Sequence, residues 1–156
     1  MTTQIARNPS EDLRLDFTAI GQLAQARFGW KLFTAMRYLP ESGEVERVHT
    51  SDAAAYPLSG RKTKRDTGWS RQVLERGEPH FAADERAVRA SFEDAETIFA
   101  LGVGALINVP VREASRGTVI GTLNFGREAG GYLPEDVERA LALAALAAPL
   151  FDAPPA

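Results

Sequence analysis

Apolar residues recur along the chain with two periods, one near the helical repeat of about 3.6 residues and one near the strand repeat of 2, and the switches between them mark out the predicted elements. Leu13, Phe17, Ile20 and Ala24 follow the helical spacing. Ser10 precedes them as a predicted N-cap, Glu11 and Asp12 suit the positive end of the helix dipole, and Gly29 stops the helix. Trp30 to Leu39 is dense in aromatic and apolar residues and predicts a strand. Pro40 to Gly43 turns it into a hairpin partner over Glu44 to Thr50, where Val45 and Val48 break strict alternation and predict a bulge.

Ser51 to Asp66 has no clear period and contains Pro57 and Gly60, so it predicts a long loop, a kind of segment that often carries function. A short helix follows over Thr67 to Arg76, closed by Gly77, then a short edge strand over Pro79 to Ala82. Ser91 to Leu101 predicts an amphipathic helix ended by Gly102. Ala105 to Arg112 and Thr118 to Arg127 form the clearest hairpin, around Ser115, Arg116 and Gly117. Gly130 and Gly131 make a turn, and Pro134, Glu135 and Asp136 open a last helix running to about Ala148. Its many alanines allow close approach, predicting packing against the first helix or against its copy in a second subunit. Paired antiparallel strands framed by helices indicate an α+β fold, with one domain over residues 10–152 and tails at 1–9 and 153–156.

Composition narrows the possibilities. With 156 residues, 44% apolar and 25% charged, the chain suits one globular domain. A net charge of -3 argues against nucleic acid as partner. No apolar run approaches the roughly 20 residues of a membrane span, and Met1 to Arg7 lacks the apolar core of a secretory signal, so a cytoplasmic location away from membranes is expected. There is no cysteine, which removes disulfides, thiol nucleophiles and thiolate metal sites. His49 and His80 are the only histidines, so no metal and no cofactor is expected.

Four segments carry a resemblance to a known family: Leu101-Gly-Val-Gly-Ala-Leu-Ile-Asn-Val-Pro-Val111, Val119-Ile-Gly-Thr-Leu-Asn-Phe125, Tyr132-Leu-Pro-Glu-Asp-Val137, and Thr67 to Pro79 with Asp84 after it. In this order they resemble the GAF domain family, and the match runs from about Leu13 to Ala148. Ala105 departs from a common serine, and Leu133 from a common threonine cap whose loss costs about 1 kcal/mol. The resemblance implies a GAF-like, profilin-like central antiparallel sheet, terminal helices on one face and a ligand pocket on the other. It implies several possible roles: binding cyclic nucleotides, tetrapyrroles or small metabolites, or reducing free methionine sulfoxide. The reductase requires cysteines and bilin attachment commonly uses one, so covalent chemistry of either kind is excluded here by residue type.

Alternation along the second hairpin lets Leu106, Asn108 and Pro110 share a face with Thr122 and Asn124. By similarity to the reductase branch this is the ligand side, where acidic residues are common at the positions of Leu106 and Asn124; neutral groups here predict neutral hydrogen bonding. The alternative is that Asn108 and Asn124 satisfy local backbone groups. Tyr56 and Trp69 flank the long loop as a pocket wall or lid, or as a small satellite core. Phe81, Phe92 and Phe99 are assigned to the core. Arg61, Lys62, Lys64 and Arg65 make a basic run that is either a solvated face or a clamp for an anionic ligand. Asp84 is a turn or capping residue, or a ligand contact. His49 and His80 are a potential acid–base or metal pair, or ordinary hydrogen-bonded histidines. Gly102-Val-Gly104 is a helix stop.

The expected ligand-binding set is therefore Tyr56, Arg61, Lys62, Trp69, Asp84, Leu106, Asn108, Thr122 and Asn124. The leading expectation is a non-covalent sensing module for a small metabolite, an anion being one option, homodimeric through its terminal helices and signalling to a separate partner chain. A ligand-independent dimerisation module predicts a filled pocket. A cysteine-independent enzyme, using Asp84, His80 or His49, predicts titratable groups converging in one pocket.

Overall fold

The computed structural model describes residues 15–152. Helix α1 spans Phe17–Arg27, and Asp16 caps it by accepting a hydrogen bond from the Ala19 N–H at 2.8 Å. The expected cap at Ser10 and the apolar Leu13 lie outside the described residues. Strands β1 (Leu32–Leu39) and β2 (Glu44–Thr50) form the first hairpin. Its register passes from Ala35 opposite His49 to Met36 opposite Arg47, so Val48 is the extra residue of the expected bulge.

Three local features depart from expectation. The loop after β2 contains a two-residue strand, β3 (Lys62–Thr63), on the edge of the sheet. Helix α2 begins at Gly68–Ser70 behind a reciprocal Thr67–Ser70 capping box and continues in π geometry over Arg71–Glu75. After β4 (His80–Ala82), the single helix expected over Ser91–Leu101 is two: α3 (Glu85–Ser91) and α4 (Ala95–Ala100). The Asp84 carboxylate starts α3 early by accepting from the Ala87 N–H at 2.9 Å, and Phe92 breaks out into extended backbone to pack its ring beside Trp69 and His80.

Strands β5 (Ala105–Arg112) and β6 (Val119–Arg127) complete a six-stranded sheet of order β3-β2-β1-β6-β5-β4, antiparallel throughout. The final helix, α5, spans Pro134–Asp152, four residues beyond the expected end at Ala148. Pro149 lacks an N–H and would ordinarily stop a helix. Here the last turn is held by Phe151, buried and edge-on to Phe17 at 5.3 Å. At the other end Asp136 compensates for the absent threonine cap: its carboxylate accepts from the Leu133 N–H at 2.8 Å.

Period-2 alternation divides the sheet into two unlike faces. Phe33, Ala35, Ile107, Val109, Leu123 and Phe125 point to one side and bury themselves under α1 and α5. The alanine stripe of α5 lets that helix lie close on β5 and beside α1; Ala140, Ala144 and Ala147 are buried there around Leu143. Burying one leucine of this kind contributes about 1.5–3 kcal/mol.

This close approach has a marker in Gly121, where a Cβ would fall 2.4 Å from the Phe151 ring and 2.6 Å from the Met36 carbonyl oxygen. Gly121→Ala is expected to destabilise the fold by about 1–3 kcal/mol. Adding Phe151→Ala should cost less in that background than in wild type, because removing the ring also relieves its clash with the new Cβ. Denaturant unfolding of the four proteins measures this, and additive losses would contradict the packing described.

Candidate functional site

The opposite face of the sheet is covered incompletely. Leu32, Thr34 and Met36 from β1, with Leu106, Asn108 and Asn124 from the second hairpin, form a floor. Helix α2 and the α3–α4 segment form a roof that packs on Leu32, Leu106 and Met36 of the floor. Between them lie two adjoining cavities. The smaller, about 200 Å³, is mainly apolar and reaches Leu32, Ile98 and Leu106. The larger, about 640 Å³, extends toward β3 and is flanked by Lys62, Lys64, Arg65, Ser91 and Glu93. Met36, Arg47, Trp69, Phe92 and Asp94 line both, so the two are lobes of one hollow.

The floor carries a chain of side-chain hydrogen bonds. Asn108 and Asn124 are cross-strand partners, and the Asn108 Nδ2 donates to Asn124 Oδ1 at 3.0 Å. Asn124 Nδ2 donates in turn to the Thr122 hydroxyl at 3.1 Å and the Thr34 hydroxyl at 3.2 Å. Asn108 Oδ1 lies 3.0 Å from His80 Nδ1, and His80 Nε2 lies 2.9 Å from Ser91 Oγ. A carbonyl oxygen only accepts, so His80 Nδ1 carries the proton and Nε2 accepts from the Ser91 hydroxyl. The Ser91 lone pairs are then left free at the edge of the larger lobe. Burial holds the His80 pKa below the usual histidine value, partly offset by the Asn108 bond, which keeps the ring neutral near pH 7.

Arg47 is the most informative charge in the walls. It is half-buried, and burial lowers its pKa, with Tyr56 and Asp94 partly compensating. One guanidinium nitrogen donates to the Pro57 carbonyl at 2.9 Å, and the group lies 5.2 Å from the Tyr56 ring centroid. The Tyr56 hydroxyl donates to Asp94 at 2.8 Å; burial first, and this bond second, push its pKa well up. Trp69 Nε1 is a buried donor without a partner, alone in that respect among the described residues. Leaving such a group unpaired costs about 1–3 kcal/mol.

Of the residues expected to bind ligand, Tyr56, Trp69, Leu106, Asn108 and Asn124 line the smaller lobe, and Lys62 lines the larger. Three stand elsewhere. Thr122 is fully buried beneath Asn124, Asp84 caps α3, and Arg61 is exposed outside both lobes. Asn108 and Asn124 bond chiefly to other side chains. Phe92, assigned to the core, is a shared wall. The two histidines do not converge: His49 lies on the helix-covered face, stacked on Phe17 at 5.6 Å and tilted against Phe33 at 5.1 Å. Arg47, Ser91 and Asp94 were missed. Arg47 sits two residues after the buried Val45 on the same strand face, so alternation along β2 could have found it. Among the described residues no cluster of histidines and carboxylates could hold a metal ion.

Both histidines have pKa values lowered chiefly by burial. Each takes up a proton more readily unfolded than folded, so stability falls as pH drops below about 6.5 toward the folded values. We expect the free energy of unfolding to decline between about pH 7 and 5, and His80→Gln to flatten that slope while lowering stability at pH 7. Urea melts across this range would contradict the assignment if stability rose on acidification.

The comparisons with known proteins agree with this architecture. The family model described as GAF domain matches residues 16–152. No curated protein sequence matches the chain. Among solved structures, the GAF domain of a two-component sensor histidine kinase from Bacillus halodurans is 13% identical, with a TM-score of 0.67 over 87% of this chain and 90% of that one. A type II free methionine-R-sulfoxide reductase from Thermoplasma acidophilum is 16% identical, with a TM-score of 0.67 over 93% and 95%. A GAF domain from Synechocystis in its photoproduct state is 15% identical, with a TM-score of 0.62 over 87% and 91%. The chain belongs to the GAF domain family.

Proposed function

We propose that this chain is a non-covalent receptor module that senses a small molecule in the two-lobed hollow and passes the signal to a partner through its terminal helices. The observation that carries the reading is the hollow itself: adjoining lobes of about 200 and 640 Å³ over a floor whose polar groups are already hydrogen-bonded. A pocket retained only as a relic would be filled by side chains. The likeness to a sensor histidine kinase domain and to a GAF domain that has a photoproduct state supports a sensory role.

A receptor needs coupling, and the sheet supplies a physical route. Asn108 and Asn124 face the hollow, while their strand neighbours Ile107, Val109, Leu123 and Phe125 pack under α1 and α5. A ligand that shifts β5 against β6 therefore also moves the floor of the helix layer, because close-packed interiors transmit displacement. Dimerisation through α1 and α5, in the cytoplasm, would give that movement an output, and the exposed Leu146 on α5 fits such a contact. A catalytic role has less support, since the chain lacks cysteine and its two histidines lie on opposite faces of the sheet.

Thermal denaturation against a panel of nucleotides, amino acids and aromatic acids tests the reading. At least one member should raise the Tm in a concentration-dependent way. Met36 lines both lobes, so Met36→Trp should fill the hollow, leave the unliganded Tm within a few degrees of wild type, and abolish the ligand-induced shift. A wild-type protein that ignores the whole panel, or a filled variant that still responds, would overturn it.

A further inference from the structure

Resting on the receptor reading, we infer that the hollow selects an aromatic monocarboxylate, with its ring in the smaller lobe and its carboxylate on Arg47. The size of the smaller lobe sets the ring. It measures about 200 Å³, and a dry apolar cavity of about 150 Å³ is enough to hold benzene. Leu32, Ile98 and Leu106 give it apolar walls, and the indole of Trp69 and the ring of Phe92 offer aromatic ones. One six-membered ring fits this space.

The charge is set at the junction of the lobes. Arg47 lines both, and none of the ion pairs found among the described residues uses it. Its bond to Pro57 engages one nitrogen and leaves other N–H groups of the planar fork free. Trp69 stands in the same shared wall, with its Nε1 buried and without a partner, so the indole N–H reports on what enters the hollow beside it. The floor adds no demand of its own, because Asn108, Asn124 and His80 are bonded to one another and to Thr34, Thr122 and Ser91. The free N–H groups of Arg47 are the cationic donors at the junction, and they call for an anion. Asp94 limits that anion to a single charge. It lies close enough to act on Arg47 electrostatically, lines both lobes, and keeps one carboxylate oxygen free beside the Tyr56 bond. A dianionic phosphate would be repelled by this carboxylate more strongly than a carboxylate monoanion. Lys62, Lys64 and Arg65 flank the larger lobe and attract anions toward its mouth, with Lys64 and Arg65 tied to Glu75 and Glu93.

The test is a titration of ¹⁵N-labelled protein with benzoate, benzamide, phenyl phosphate and acetate, followed at the Trp69 indole N–H, which Trp69→Phe assigns. Benzoate should shift that resonance and bind about tenfold or more tightly than benzamide or acetate. In Arg47→Gln the preference of benzoate over benzamide should vanish while the neutral amide binds as before. Equal binding of benzoate and benzamide to wild type, or tighter binding of phenyl phosphate, would overturn the monocarboxylate assignment and leave the receptor reading intact. The wild-type comparison decides this even if the variant fails to fold. No response to these probes alongside a Tm response to other panel members would also overturn the assignment alone. Silence in both experiments would overturn both readings.

Discussion

A buried amide has to find partners for its donors and its acceptor, and the facing pair Asn108 and Asn124 imposes that demand at the centre of the sheet. Their mutual bond favours this register of β5 against β6, since a one-residue slip of either strand would carry its amide to the apolar side and leave the other without its partner. Thr34 and Thr122 take the Asn124 donors. On the other side the demand passes to His80, selects its tautomer, and ends at the Ser91 hydroxyl on the rim of the hollow. The floor is thus polar yet satisfied within the protein. Such a floor can lie beneath a cavity without requiring a bound molecule to complete it, which suits a receptor that exists in both empty and filled states.

The two faces of the sheet divide the work between them. The helix face is close-packed, with Gly121 allowing the end of α5 to reach the strands and Phe33 stacked on Phe125 at 4.9 Å. The other face is roofed by short segments: a single π-distorted helix, two helices of seven and six residues, and a loop. Short helices make few stabilising contacts of their own and are the parts of a fold that move at least cost. Recognition groups sit where that mobility is useful. Trp69 is on α2, Ser91 and Asp94 bound the break between α3 and α4, and Tyr56 is on the loop.

Much of the fold was legible in the sequence because strong periods belong to elements that bury one face. The hairpins β1–β2 and β5–β6, the Val48 bulge, the opening of α5 and the α+β class all follow from alternation and turn residues. The misses occur where tertiary contacts override local signals. Phe92 is apolar at a helical spacing, but aromatic neighbours draw it out and split the helix. The last helix is expected to end near Ala148, and Phe151 anchors a further turn beyond Pro149. The site was legible by face and not by role. Alternation placed Leu106, Asn108 and Asn124 on one face and the family resemblance made that face the ligand side, yet only distances reveal that the amides bond to each other. The basic run Arg61 to Arg65 drew attention by its density, whereas the better-placed cation, Arg47, is a single residue in a mixed strand.

The protonation state of His80 tests the relay most directly, because each link depends on its direction. Long-range ¹H–¹⁵N correlation spectra of the imidazole at neutral pH distinguish a protonated from an unprotonated ring nitrogen. A neutral ring with the proton on Nδ1 and a bare Nε2 is the predicted result. A proton on Nε2, or rapid averaging between the two nitrogens, would mean that the Asn108 amide is turned the other way or unbound, and the account of a self-satisfied floor beneath the hollow would be contradicted.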